Sequence, residues 1–244
     1  MDETYRKEFY ERMYADGRVW KGPQGLLGFL YRSFQRFELH RVPAAVSLLE
    51  HKGKILDIGC GDGGLLALAK SRKKFIGYYG TDLAQVAINR AKKNVIYKTG
   101  DIRKCYFKRA NLDEKLPFTD NFFDAVTCIA VLEHIFDPYF GVKEINRILK
   151  NRGEFILEVP NLVWLPRRIS VLVGLLPVTA EEDGWDGGHL HYFTSKAVRN
   201  LLEGSGFKIK YIGCTGIFSR LLNLWPSLLG GNILVRAIKI RHAK

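Results

Sequence analysis

Residues 55–63 read Ile55-Leu56-Asp57-Ile58-Gly59-Cys60-Gly61-Asp62-Gly63, and the fold follows from how they are read. Ile55 to Ile58 is a short apolar run broken by one acid, the pattern of a buried strand. It runs into glycines, then into Leu65-Leu66-Ala67-Leu68-Ala69, a good helix. Glycines permit a tight turn and let a ligand lie against bare backbone. Asp62 is placed to cap the helix that follows. In a doubly wound sheet, ligands bind beyond the carboxyl ends of the strands, so this turn marks a candidate site.

Working outward, strands and helices alternate. Phe75 to Thr81 reads as a second strand ending at Asp82, and Ala84 to Lys93 as a helix. Cys105 to Leu112 is a third strand and Phe123 to Ile129 a buried fourth. Tyr139 to Lys150 is an amphipathic helix stopped by Asn151-Arg152-Gly153, and Glu154 to Val159 is a fifth strand closed by Pro160. Alternation of this kind specifies a parallel sheet with helices on both faces. Further on, Thr194 caps a helix from Ser195 to Glu203, stopped at Gly204. Phe207 to Ile212 and Asn232 to Ile240 are strands without a long crossover helix, which predicts an antiparallel edge. Upstream, residues 3–14 read as a charged helix, and Leu26 to Glu50 as a helical stretch split by Pro43.

The 244 residues, 47% of them hydrophobic, suit one well-filled α/β domain with added segments. A net charge of +13 favours anionic partners without choosing among nucleic acid, lipid headgroups and acidic small molecules. Cys60, Cys105, Cys128 and Cys214 form no CxxC pair, so a structural zinc site is not expected, and reduced thiols in a cytoplasmic protein are. Met1 to Lys7 has no apolar core and does not read as a signal peptide. The apolar stretch Leu162 to Val178 is broken by Pro166, Arg167, Arg168 and Pro177, which argues against a membrane span. That stretch and Ile217 to Leu229 suit core packing, a dimer interface or peripheral contact with a membrane surface.

Glycines 59, 61 and 64 also satisfy G-x-G-x-x-G, so the turn alone does not separate a nicotinamide or flavin dinucleotide from other adenosine cofactors. Asp57 does. A pyrophosphate on the helix N-terminus tolerates an acid poorly, whereas an amino acid beside a sulfonium tolerates it well. Downstream lie Leu116-Pro117-Phe118-Thr119-Asp120-Asn121-Phe122-Phe123-Asp124, then Val131-Leu132-Glu133-His134, then Glu144 to Gly153. With these in order, the chain resembles the class I S-adenosylmethionine-dependent methyltransferases, strongly over residues 50–160.

The resemblance implies a Rossmann-like, doubly wound, seven-stranded sheet, mostly parallel with an antiparallel last strand. It implies four parts: a helical cap (1–50), the cofactor core (51–160), an acceptor-side insertion or lid (161–194), and a final helix with edge strands of the same domain (195–244). It also implies roles. Asp57 and the backbone of Gly59, Cys60, Gly61 and Gly63 would hold the methionine part, and Asp82 the ribose, with Leu83 against the adenine. The acid that usually ends the third strand is matched by Asn111, followed by Leu112, with Asp101 as a competing alignment. Ile129 and Ala130 would line the reactive end. The product would be S-adenosylhomocysteine.

Acceptor signals are thinner. No Asn-Pro-Pro-Tyr or Asp-Pro-Pro-Tyr follows the fourth strand, which disfavours amino-group methylation of bases. Glu133-His134 resembles the ubiquinone-biosynthesis O-methyltransferases, whose acids and histidine here bind a divalent metal. Their pattern has a further glutamate where this chain has Ala130, so no metal is expected, and His134 is read as packing beneath the site. In Asp183 to Thr194, His189 and His191 are candidate general bases, with local hydrogen bonding as the alternative for each. The reading is O-methylation of a small or lipid-linked acceptor. Two alternatives stand beside it. One is a non-catalytic cofactor-binding adaptor, resembling the methionine-biosynthesis companion proteins. The other is an RNA methyltransferase, for which no RNA-binding module is visible.

Overall fold

Lys54–Ile58 forms β1, an interior strand of the sheet, in a computed structural model that describes residues 7–12, 39–50, 52–72, 74–174, 188–216 and 225–240. Successive side chains of a strand point to opposite faces, and β1 shows it: Ile55 enters one core and Leu56 the other. The first helices are α1 (Arg41–Leu48) and α2 (Gly64–Ser71), which cover the Ile55 face with Val46 and Leu66. β2 (Gly77–Asp82) is followed by α3 (Gln85–Thr99), β3 (Cys105–Arg109) and β4 (Phe123–Ile129). α4 (Pro138–Ile148) and α6 (Ser195–Gly204) cover the Leu56 face with Val142, Ile145, Val198 and Leu202; α5 (Leu165–Leu172) lies between them in sequence. β5 (Leu149–Pro160), β6 (Phe207–Thr215), the short α7 (Pro226–Leu229) and β7 (Asn232–Lys239) complete the chain.

The seven strands run in the order β3-β2-β1-β4-β5-β7-β6. β1 pairs in parallel with β2 and β4, and β7 is antiparallel to both β5 and β6. The antiparallel strand therefore does not form the edge; it inserts between β5 and β6, and β6 is the edge. The order reverses between β1 and β4, so the switch point falls at the glycine turn.

Several boundaries differ from the sequence reading. α3 runs on to Thr99 and stops at Gly100, whose φ of 80° is left-handed. β3 ends at Arg109, three residues short of Leu112. α4 ends at Ile148, and Asn151-Arg152-Gly153 is no helix stop but an irregular stretch of β5. The cause is Leu149, which is fully buried opposite Phe123 and opens the strand early. The pairing then skips to Ala125 opposite Glu154. Asp124 steadies the excursion by accepting bonds from Lys150 Nζ and from Lys54 N, each within 2.9 Å. Pro43 sits in the first turn of α1, where its missing N–H costs nothing, rather than inside a longer helix. The stretch from residue 13 to 38 lies outside the described residues, as do residues 175–187 and 217–224.

At the far end of the sheet, Lys239 is fully buried. Its ammonium donates to Asn121 Oδ1 at 3.1 Å and to the carbonyls of Asn146 and Leu149 at 2.8 Å. A buried cation is tolerated only when so partnered. Here it satisfies the carbonyls that α4 leaves open where it turns into β5.

Candidate active site

The glycine turn is built by left-handed backbone. Gly59, Gly61 and Gly63 have φ of 66°, 50° and 74°, a region closed to most side chains. At Gly59 there is also no room: a Cβ would stand 2.2 Å from Val131 Cγ2. Gly63, not Asp62, is the N-cap of α2. Asp62 still supports the turn, accepting from Gly64 N at 2.9 Å while Asn94 holds its carbonyl and carboxylate. Cys60 is buried, its N–H bonded to Thr81 O, and burial pushes its thiol well up.

Two carboxylates flank this turn. Asp57 is 4% exposed and accepts from Thr127 Oγ1 at 2.6 Å. Burial pushes its carboxyl up to about 7, against the pull of Thr127 and with Asp82 and Asp62 adding to it. Asp82, at the end of β2, accepts from Gly61 N and Ala84 N, both at 2.9 Å, yet burial still raises it. Glu11, in the helical segment 7–12, adds a third negative charge. Its oxygens accept from Gln85 N at 2.7 Å and Val86 N at 3.1 Å, capping α3 across more than seventy residues of sequence. Three acids converge on one turn beside bare backbone. The arrangement selects a cationic ligand and opposes a pyrophosphate.

Leu83 is half-buried beside Asp82. Beyond β3, Ala110 N donates to Asp82 O at 3.0 Å, which brings Asn111 to the same sheet end. Asn111 Oδ1 accepts from Asp113 N at 3.1 Å, and Leu112 is buried in the core. Asp101 precedes β3 and so lies at the opposite end of the sheet, held by Lys70 at 2.7 Å and by Arg103. The competing alignment does not reach the site. Ile129 ends β4, and Ala130 follows with φ 54° and its N–H on Glu158 O at 3.0 Å.

Past β4 lies a second polar group. Glu133 sits on a single 3-10 turn, Leu132–His134, and is 1% exposed. Neither of its carboxylate oxygens accepts a hydrogen bond among the described residues. Burial raises the carboxyl to about 8, with Glu158 adding to it. His189 Nε2 stands 3.9 Å from Glu133 Oε1, and the His134 and His189 rings are 4.6 Å apart. His134 Nδ1 lies 3.2 Å from Gly188 O, and Glu133 O accepts from Leu190 N and His191 N at 2.8 and 3.1 Å. The loop carrying both candidate histidines is thus clamped onto this turn. His191 turns away, its Nε2 3.1 Å from Phe136 O. Only His189 joins the acid. Tyr10 meets His134 edge-on at 5.8 Å, so the segment 7–12 reaches both polar groups.

Sequence reasoning missed Thr127, Glu11, Glu158 and the pairing of Glu133 with His189. Thr127 stands in an apolar run and carries no motif, and nothing local ties Glu11 to α3.

Residues 31–212 match the family model described as a methyltransferase domain. The chain belongs to this family, as a class I S-adenosylmethionine-dependent methyltransferase, and S-adenosylmethionine is its cofactor. An uncharacterised protein of Methanocaldococcus jannaschii is 37% identical over 107 residues, 44% of this chain and 40% of that one. A ubiquinone biosynthesis O-methyltransferase of Alkalilimnicola ehrlichii is 30% identical over 142 residues, 58% of this chain and 55% of that one. The chain therefore spans about half the length of these curated relatives. The magnesium protoporphyrin IX methyltransferase of Synechocystis, solved with S-adenosylhomocysteine bound, superposes with a TM-score of 0.69 at 16% identity. That match covers 98% of this chain and 100% of the other, and it shows the shared fold.

Proposed function

We propose that the protein transfers a methyl group from S-adenosylmethionine to a hydroxyl oxygen of a small or lipid-linked acceptor. Asp57 and the glycine turn hold the methionine part, Asp82 the ribose, with Leu83 and Asn111 at the adenine and Ile129 and Ala130 near the methyl. The observation that carries the choice of oxygen is the group of buried Glu133 with half-buried His134 and His189 just past β4. Transfer is an in-line displacement that needs alignment, and a hydroxyl also needs a proton acceptor at neutral pH. A neutral imidazole beside the acid provides one. The ubiquinone-biosynthesis relative supports the same class of acceptor.

Two measurements test the reading. Asp82→Ala removes the acceptor of the Gly61 and Ala84 amides, and S-adenosylmethionine affinity by calorimetry should fall by at least about 100-fold; an unchanged affinity overturns the donor-site assignment. Transfer of labelled methyl should then be compared on acceptor pairs that differ only in hydroxyl against amine. Preference for the amine overturns the O-methyl assignment.

A further inference from the structure

The site around Glu133 has an unmet demand. A carboxyl group buried with neither oxygen hydrogen-bonded is costly whether or not it is ionised. The imidazole nitrogen His189 Nε2 is 3.9 Å away, too far for a hydrogen bond. It is not too far to share an ion. In a tetrahedral site, ligand atoms about 2.1 Å from one metal stand about 3.4 Å apart. Glu133, His134 and His189 each bring one ligand atom, and all three lie within 4.8 Å of one another, so a closure of at most about 1.4 Å brings them within reach. His134 is already oriented: a carbonyl can only accept, so the contact with Gly188 O puts the proton on Nδ1 and makes Nε2 the basic nitrogen.

The sequence argued against a metal because Ala130 stands where the resembling enzymes have a glutamate. That donor set is indeed not reproduced, since Ala130 offers no ligand atom. The folded chain brings a different one. We propose that Glu133, His134 and His189 form a site for a divalent transition ion of the Zn²⁺ type, with His189 arriving from the loop before α6 in place of the missing acid. Two imidazoles and one carboxylate suit zinc, cobalt or iron and disfavour magnesium, which takes oxygen ligands. Bound there, such an ion would supply Lewis acidity to an acceptor oxygen. Metal binding and donor binding are measured separately, so the site stands or falls apart from the O-methyl reading.

The test uses the full chain, stripped with a chelator and titrated with Zn²⁺ by calorimetry, then with Co²⁺ followed by its visible d–d bands. One equivalent should bind, and an excess of Mg²⁺ should not displace it. Glu133→Gln keeps the side-chain volume and should weaken Zn²⁺ on the order of 100-fold, as should His189→Ala, while His191→Ala leaves it unchanged. Zn²⁺ should raise the melting temperature of the wild type and not of Glu133→Gln, which separates lost ligation from lost folding. Absence of stoichiometric binding to the wild type overturns the proposal, as does Zn²⁺ affinity indifferent to both Glu133→Gln and His189→Ala, or displacement by Mg²⁺. Loss of S-adenosylhomocysteine binding with Zn²⁺ binding intact would instead sink the donor-site reading and leave the metal site standing.

Discussion

Replacing Asp57 with asparagine isolates a charge that the free protein holds at a cost. An ordinary aspartate titrates near 3.8, and burial carries Asp57 to about 7. One pKa unit is about 1.36 kcal/mol, so keeping this group ionised above pH 7 costs the free protein about 4 kcal/mol. The sign follows from the raised pKa. The folded state binds the proton more tightly than the unfolded chain, so stability falls as pH rises from about 4 to about 7. Asp82, Asp62 and Thr127 all face the group, and only Thr127 favours the charge. A ligand with an ammonium and a sulfonium reverses this balance. If binding returns the carboxyl to about 5, the fall from about 7 is worth about 2.7 kcal/mol, or on the order of 100-fold in affinity. S-adenosylmethionine should therefore bind about 40-fold more tightly at pH 7.5 than at pH 5, levelling off above 7. Calorimetry in buffers of different ionisation heat should count about one proton released near pH 6. Asp57→Asn should flatten the profile and hold affinity at the weak, low-pH value throughout. A flat wild-type profile, proton uptake on binding, or full affinity of Asp57→Asn at pH 7.5 would refute the reasoning.

Gly59→Ala should destabilise the fold by about 1–3 kcal/mol, since it forces a side chain to a φ of 66° and onto Val131; denaturant unfolding reads this out. Adding Val131→Ala should recover the steric part and not the backbone part, so complete rescue would contradict the left-handed geometry. Lys239→Met should leave the two buried carbonyls of Asn146 and Leu149 unpaired at about 3 kcal/mol in sum, a drop in melting temperature of about 6–12 °C. S-adenosylhomocysteine affinity below the transition should stay as in the wild type, because Lys239 sits at the other end of the sheet.

Strand β1, the glycine turn and Asp82 were legible because each obeys a local rule: apolar run, left-handed glycine, acid at a strand end. β4 matched its sequence reading residue for residue because a run buried on both faces stands out. Boundaries set by packing were not legible. Leu149 continues the periodicity of α4, and only its burial opposite Phe123 makes it strand. The place of β7 between β5 and β6 rests on long-range pairing that no local pattern encodes. At the site, Asp57, the glycine turn and Asp82 lie within about thirty residues of sequence, and each follows a local rule. The acceptor half joins Glu133 to His189 across more than fifty residues, so each histidine alone looked equally promising. Space, not spacing, separated them.

The segment around Glu11 touches the start of α3 beside Asp82 through Glu11 and His134 through Tyr10, so it bridges the donor half and the acceptor half. A strap tied at both ends makes the two polar groups depend on one short segment. A change that shifts the segment at one of them therefore moves its contact at the other.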